Sequence, residues 1–313
     1  MAPIEPRPDF FIVGAPRCGT TAMYEYLRRH PEIFMPEHKE PMYFGADLAS
    51  IHGRLTEADY LRLFRPATTG QRIGEASTWY LYSTDAPREI SAFSPEAQII
   101  IMLRNPVDVM YSLHGEVVFY GGEEIEDFEE ALAAEPDRRE GRRLGPTRRP
   151  EALFYRDTVR FADQVERYLD EFGSERVQIL LFDDFVRDPA AAYLEVLRFL
   201  GVDETFRPSF ERVNESKRPV NSTFQSFVVR PPGPVARLIP LLRRAPLAHQ
   251  LRAAVLSANS RSYERPPLAE PLRQRLTAEL APEVERLGEL IGRDLSRWMP
   301  VATPGPKEAR SVA

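Results

Sequence analysis

The sequence predicts an α/β fold, a central parallel β-sheet flanked by α-helices on both faces. Three observations carry that expectation. Apolar runs at residues 10–13 (FFIV), 97–103 (AQIIIML) and 177–182 (VQILLF) are continuous rather than alternating, as in strands buried on both faces. Stretches with helical spacing separate them, at 107–119, 154–172 and 189–200. Strand-like and helix-like segments alternate along the chain, which is the pattern of a parallel sheet.

Residues 9–30, DFFIVGAPRCGTTAMYEYLRRH, form the first unit. A short apolar strand leads into a loop bounded by Gly14 and Gly19. A helix follows, with Met23, Tyr26 and Leu27 spaced for one face. Strand, tight loop and helix in this order make a phosphate cradle, because loop N–H groups and the positive end of the helix dipole point at one spot. Cys18, Gly19, Thr20 and Thr21 bring N–H groups, the threonines add hydroxyls, and Arg17 adds a cation. The nucleoside-triphosphate loop reads G-x-x-x-x-G-K-(S/T). Here the glycine spacing of that P-loop type is kept, but Thr20 stands where the lysine belongs.

The run P-R-C-G-T-T at 16–21 resembles the loop of sulfotransferases that use 3′-phosphoadenosine-5′-phosphosulfate (PAPS). In that family the loop cradles the 5′-phosphosulfate. The resemblance implies transfer of a sulfuryl group to an acceptor hydroxyl, release of the desulfated product PAP, and no metal.

The remaining units follow in order. Residues 31–46 are punctuated by proline and read as a loop. Within it, Lys39-Glu40-Pro41-Met42-Tyr43-Phe44 resembles the K-E-x-x-F-F stretch of Golgi-type heparan sulfate sulfotransferases and their bacterial relatives. That resemblance implies Glu40 as general base, with Lys39 and Arg17 as catalytic cations. The heparan-modifying relatives often carry histidine where Met42 stands. Residues 56–65 predict a short helix capped by Thr56, with Tyr60, Leu63 and Phe64 inward. Residues 72–77 predict a strand. Relatives carry E-K-(S/T) here, and Ala76 replaces the lysine. Trp79, Tyr80 and Tyr82 read as packing first and as acceptor contacts second.

The strand at 97–103 ends in Arg104-Asn105-Pro106, and proline suits the first turn of the next helix. Arg104 at the strand's carboxyl end and Ser112 on the helix are placed to meet one phosphate from two sides. L-R-N-P-V-D-V-M-Y-S resembles the family's signature for the 3′-phosphate of PAPS. Residues 123–135 read as an acidic helix. The arginine-rich stretch 136–150 reads as a mobile loop, either solvated or attracting an anionic acceptor or the cofactor. One long amphipathic helix is expected over 154–172, a strand over 177–182, and a helix over 189–200 closed by Gly201. The polar loop at 214–219 resembles the family's late basic loop, which implies cofactor contacts for Lys217 and Arg218. Residues 222–267 stay open between a substrate lid, a homodimer contact and a membrane-surface helix.

Composition narrows the rest. The expected organisation is one domain over 1–313, with a cofactor core at about 9–220, a C-terminal helix within 268–297 and a disordered tail at 303–313. A net charge of −6 argues against a nucleic-acid binder. The single cysteine, Cys18, excludes an internal disulfide and a cysteine-rich metal site, and no metal-ligand cluster stands out. No stretch is apolar enough to cross a bilayer and the N-terminus does not read as a signal peptide, so a cytoplasmic location is expected. His38 and His114 are alternative bases. A P-loop kinase or NTPase and a non-catalytic nucleotide-binding module remain as rival readings. The acceptor is left at the level of a hydroxyl on a saccharide, a lipid or another small molecule.

Overall fold

The computed structural model describes residues 6–48, 55–145, 147, 149–210, 217–219, 260–262 and 265–300. Five strands form one sheet: β1 (Phe10–Gly14), β2 (Ile33–Phe34), β3 (Arg72–Ala76), β4 (Gln98–Leu103) and β5 (Val177–Leu181). Their order is β2-β3-β1-β4-β5. Every neighbouring pair is parallel, with Phe10 opposite both Gly74 and Gln98, and Ile101 opposite Ile179. β1 is buried throughout and β4 is buried after its first residue, as continuous apolar runs require.

The helices are α1 (Thr20–Arg28), α2 (Glu57–Arg62), α3 (Ala86–Phe93), α4 (Pro106–Phe119), α5 (Phe128–Ala133), α6 (Glu135–Arg139), α7 (Tyr155–Thr158), α8 (Phe161–Phe172), α9 (Phe182–Arg187), α10 (Pro189–Leu200) and α11 (Glu270–Ile291). The connection through α1 runs outward from β1 to β2. The connection through α3 runs the other way, from β3 past β1 to β4. Right-handed crossovers in opposite directions put their helices on opposite faces of the sheet. Accordingly, α1 packs with α10 and α3 packs with α8. The winding reverses at β1, and sheets of this kind bind ligands at strand carboxyl ends beside such a reversal.

Local chemistry fixes the helix starts. Thr56 Oγ1 accepts from Asp59 N–H at 3.2 Å and caps α2. Asn105 Oδ1 accepts from Val107 N–H at 3.0 Å and caps α4, with Pro106 in the first turn as expected. The cap substitutes for an acceptor that the first helical turn lacks.

Three expectations are corrected. The helix over 154–172 is broken into α7 and α8, because Gln164 turns its amide back onto the carbonyls of Asp157 and Thr158. The acidic helix starts at Phe128 rather than 123, with Asp127 as its cap. The arginine-rich stretch is anchored at its start: Arg138 is fully buried, paired with Glu123 at 2.6 Å, and bonded to the Leu153 carbonyl at 2.9 Å. Tyr155 Oη also donates to Glu123, so the buried pair has further hydrogen bonds around it.

β6 (Lys217–Pro219) pairs antiparallel with β7 (Ser260–Ser262). α11 buries Leu272, Leu276, Leu280, Val284 and Leu287 and packs on α4 and α8. Apart from 260–262 and 265–267, the segment 222–267 lies outside the described residues, as does the tail at 303–313. Among the described residues no helix is long and apolar enough to cross a membrane.

Candidate active site

The cradle forms where β1 ends. Gly14 is hemmed in: a Cβ there would lie 2.6 Å from Leu81 Cβ and 2.8 Å from the Thr78 carbonyl oxygen. Gly19, at φ 90°, is the N-cap residue of α1. Arg17 takes a left-handed φ of 66°, so consecutive N–H groups turn toward one side and make an anion nest. Among the described residues, the backbone N–H groups of Arg17, Cys18, Gly19, Thr20 and Thr21 donate to no protein acceptor. Cys18 contributes only that backbone. Its thiol is fully buried, and burial pushes its pKa up to about 12.

Side chains from two further elements close on the loop. Ser112 Oγ, on α4, accepts from Arg17 Nε at 2.8 Å, and Glu116 one turn later pairs with Arg17 Nη1 at 3.2 Å. Arg104, at the end of β4, donates to the Arg17 carbonyl at 3.4 Å and lies 4.7 Å over the Phe182 ring. Its nearer acid, Asp108, sits 3.9 Å away and is shared with Arg273 of α11 at 2.7 Å. Arg17, Arg104 and Ser112 are therefore one constellation, with Arg17 at its centre. The backbone of β6, which carries Lys217 and Arg218, runs beside α4. The side chains of those two residues, and residues 214–216, lie outside what is described.

The second wall is the loop at 38–45. Glu40 and Met42 both hold left-handed φ values, 61° and 51°. Such conformations cost on the order of 1–3 kcal/mol each in a non-glycine residue and need surrounding bonds to persist. Glu40 N–H donates to the Ala76 carbonyl at 3.0 Å. Lys39 Nζ and Thr78 Oγ1 both donate to Glu40 Oε1, at 2.9 and 3.2 Å. Among the described residues Oε2 has no partner. The side chain is 32% exposed. Burial raises the Glu40 pKa, but the charges of Lys39 and Arg149 and the Thr78 hydrogen bond outweigh it, leaving it below its ordinary value.

Arg149 is the residue that pattern reading did not single out. Its guanidinium lies 4.9 Å over the Trp79 ring and within electrostatic reach of Glu40 and Glu116. It makes no side-chain hydrogen bond or ion pair among the described residues. Within a stretch carrying arginine after arginine, nothing in the sequence marked this one as the cation that reaches Glu40 and Glu116. Glu75 was missed as well. It is completely buried in β3, where the hydroxyls of Tyr60 and Tyr80 donate to it. The signal available was a lone acid inside a strand.

The two histidines differ. His38 is exposed beside Lys39. His114 is 1% exposed and lies between the rings of Phe128 and Tyr155. Arg265 can only donate, so His114 Nδ1 accepts from it at 2.8 Å and Nε2–H donates to the Ile125 carbonyl at 2.9 Å. Burial pushes its pKa down to about 4. Both ring nitrogens are engaged in packing, which leaves neither to take a proton from a substrate.

Residues 7–223 match the sulfotransferase domain family. Carbohydrate sulfotransferase 15 of Mus musculus is 34% identical over 147 residues, covering 34% of this chain and 26% of that protein. Heparan sulfate glucosamine 3-O-sulfotransferase 3B1 of Mus musculus is 27% identical over 217 residues, covering 67% of this chain and 50% of that protein. The chain thus spans 26% to 50% of the length of these two curated relatives. The crystal structure of a sulfotransferase from Alicyclobacillus acidocaldarius is similar at a TM-score of 0.70 and 31% identity, over 94% of this chain and 99% of that one.

Proposed function

The chain belongs to the sulfotransferase family, and on that premise we propose that it transfers a sulfuryl group from PAPS to an acceptor hydroxyl. The observation that carries this reading is the run of five unpaired N–H groups at residues 17–21, ringed by Arg17, Arg104 and Ser112. That donor set fits a nucleotide bearing phosphates at two positions. PAPS supplies a sulfuryl group that passes to the acceptor oxygen as its bond to the 5′-phosphate breaks.

The residues divide the work. The loop N–H groups and Arg17 hold the charge left on the 5′-phosphate. Arg104 and Ser112, joined by Lys217 and Arg218, hold the 3′-phosphate through charge-assisted hydrogen bonds. Glu40 Oε2 takes the proton from the acceptor hydroxyl. Its lowered pKa keeps it ionised at neutral pH, and Lys39 and Thr78 hold the other carboxylate oxygen in place. A kinase reading lacks its lysine, since Thr20 occupies that position.

The relatives are named for carbohydrate and heparan sulfate, and a saccharide hydroxyl is the acceptor class we take from them. The test is transfer from radiolabelled PAPS to a panel of hydroxyl acceptors led by desulfated heparan and chondroitin chains. Label on a saccharide is the expected result. PAP binding without transfer to any acceptor would instead mark a non-catalytic nucleotide-binding module.

A further inference from the structure

Two non-glycine residues in left-handed conformations, Glu40 and Met42, stand within three positions of each other beside the proposed base site. The bonds that hold the loop just after Glu40 lead toward one buried group. Met42 N–H donates to Ser77 Oγ at 3.2 Å. Tyr43 N–H and Phe44 N–H both donate to Tyr80 Oη, at 2.8 and 3.2 Å. A phenol has one proton and two lone pairs. With both lone pairs taken by the loop, the proton of Tyr80 needs its own acceptor, and it goes to Glu75 Oε2 at 3.2 Å. Tyr60 Oη donates to the same oxygen at 2.7 Å, and its ring stacks on Tyr43 at 4.2 Å.

Glu75 itself is 0% exposed, and its Oε1 has no hydrogen-bond partner among the described residues. The titratable groups facing it are Tyr60 from α2, Tyr80 after β3, Tyr168 from α8 and Glu40 from the loop. No lysine or arginine pairs with it among the described residues. A carboxyl placed in the core without a cation is costly, and hydrophobic side chains would fill the space at less cost. What this one provides is an acceptor that orients two tyrosine hydroxyls, and through Tyr80 the backbone of the loop.

We propose that Glu75 is a positioning residue for the base: through Tyr80 it holds the backbone of Tyr43 and Phe44, and with them the end of the turn that presents Glu40 beside Thr78 and Arg149. The proposal rests on the reading of Glu40 as base. Burial pushes its pKa up to about 7 against the pull of the Ser77, Tyr60 and Tyr80 hydroxyls, so below that pH the carboxyl is neutral. A neutral acid can be replaced by its amide. Glu75→Gln therefore keeps the acceptor oxygen, and Glu75→Ala removes it.

The test is a double-mutant cycle in single-turnover sulfate transfer, with PAP affinity by calorimetry and thermal unfolding on each variant. Glu75→Ala is expected to lower turnover on the order of 10²-fold, the scale of a misplaced catalytic group, while the PAP dissociation constant stays within threefold of wild type, at most about 0.65 kcal/mol. Glu75→Gln is expected to retain near-normal turnover. In a Glu40→Gln background, Glu75→Ala is expected to cost nothing further, because a group acting through Glu40 has nothing left to position. Losses that multiply across the two sites would overturn the proposal, as would equal losses of turnover and PAP affinity. If Glu75→Ala does not fold, Tyr80→Phe removes the hydroxyl and keeps the ring, and the same outcomes decide. Normal turnover in Glu40→Gln alone would sink the base assignment, a result separate from any in the Glu75 series.

Discussion

The two walls of the cleft are built by different means. Residues 14–21 form their anion nest from consecutive backbone groups, and their side-chain partners come from the next strand–helix joint. Residues 38–45 hold a strained turn with bonds from Ser77, Thr78 and Tyr80, 35 to 38 positions away. Five consecutive N–H groups of the first wall donate to no protein acceptor among the described residues, so they are open to an anion. The second has to hold a single carboxylate oxygen in position. The comparison teaches that the first wall draws its donors from consecutive backbone groups, whereas the second takes its shape from side chains packed against it.

The sharpest way to test that division is to damage each wall and ask which property fails. Glu40→Gln keeps shape and removes the base. Turnover is expected to fall by roughly 10²–10⁴-fold, the usual contribution of a positioned general base, with PAP affinity intact. Single-turnover kinetics beside calorimetry reads both. A loss of PAP affinity in this variant would merge the two walls. Arg104→Ala should do the reverse and weaken PAP by about one to two orders of magnitude, since a charged hydrogen bond to phosphate contributes roughly 1.5–3 kcal/mol. An unchanged dissociation constant would reduce Arg104 to its packing on Phe182.

Stability against pH separates the walls by sign. Glu75, behind the base loop, has its pKa raised from 4.5 to about 7. The folded state binds its proton more tightly, so this contribution is present below pH 4.5 and lost as pH rises through 7. His114, on the cofactor-side helix α4, has its pKa lowered from 6.5 to about 4. The unfolded state binds that proton more tightly, so stability is lost as pH falls from 6.5 toward 4. At ~1.4 kcal/mol per unit, each contribution is about 3.5 kcal/mol at full extent, and between pH 4.5 and 6.5 they oppose. Urea denaturation across that window should show stability falling with rising pH in His114→Asn and rising in Glu75→Gln. Slopes of the same sign in both variants would refute these assignments.

The smallest expected effect concerns Arg149, which lowers the Glu40 pKa from across the cleft. Arg149→Met should move the acid limb of kcat/KM to higher pH, because Glu40 then ionises later. On the acid limb the loss should be about three- to tenfold, the scale of one modest polar interaction, with little change at pH 7, where Glu40 stays ionised. A pH–rate profile decides, and an unmoved acid limb would leave Arg149 with only its stacking on Trp79.

What could be read in advance follows the same line. The parallel sheet was legible because β1 and β4 are apolar on both faces. That Arg17, Arg104 and Ser112 come together was legible because each follows the carboxyl end of a parallel strand. Glu40 was placed by resemblance, and nothing in its periodicity identified it. Arg149 was hidden among other arginines, since what sets it apart is its tertiary stacking on Trp79. His114 looked like a base from its residue type, and its role in packing depends on Ile125 and Arg265, one near and one far in sequence. The break between α7 and α8 depended on where one glutamine amide turned.

The central claim is that residues 17–21 with Arg104 and Ser112 form a PAPS site rather than a triphosphate site. Titration calorimetry of the wild-type protein with PAP and with ATP, in the presence of EDTA, tests it most directly. The account predicts that PAP binds with EDTA present and that ATP neither binds comparably nor displaces it. Equal binding of ATP, or PAP binding that appears only when Mg²⁺ is restored, would contradict it.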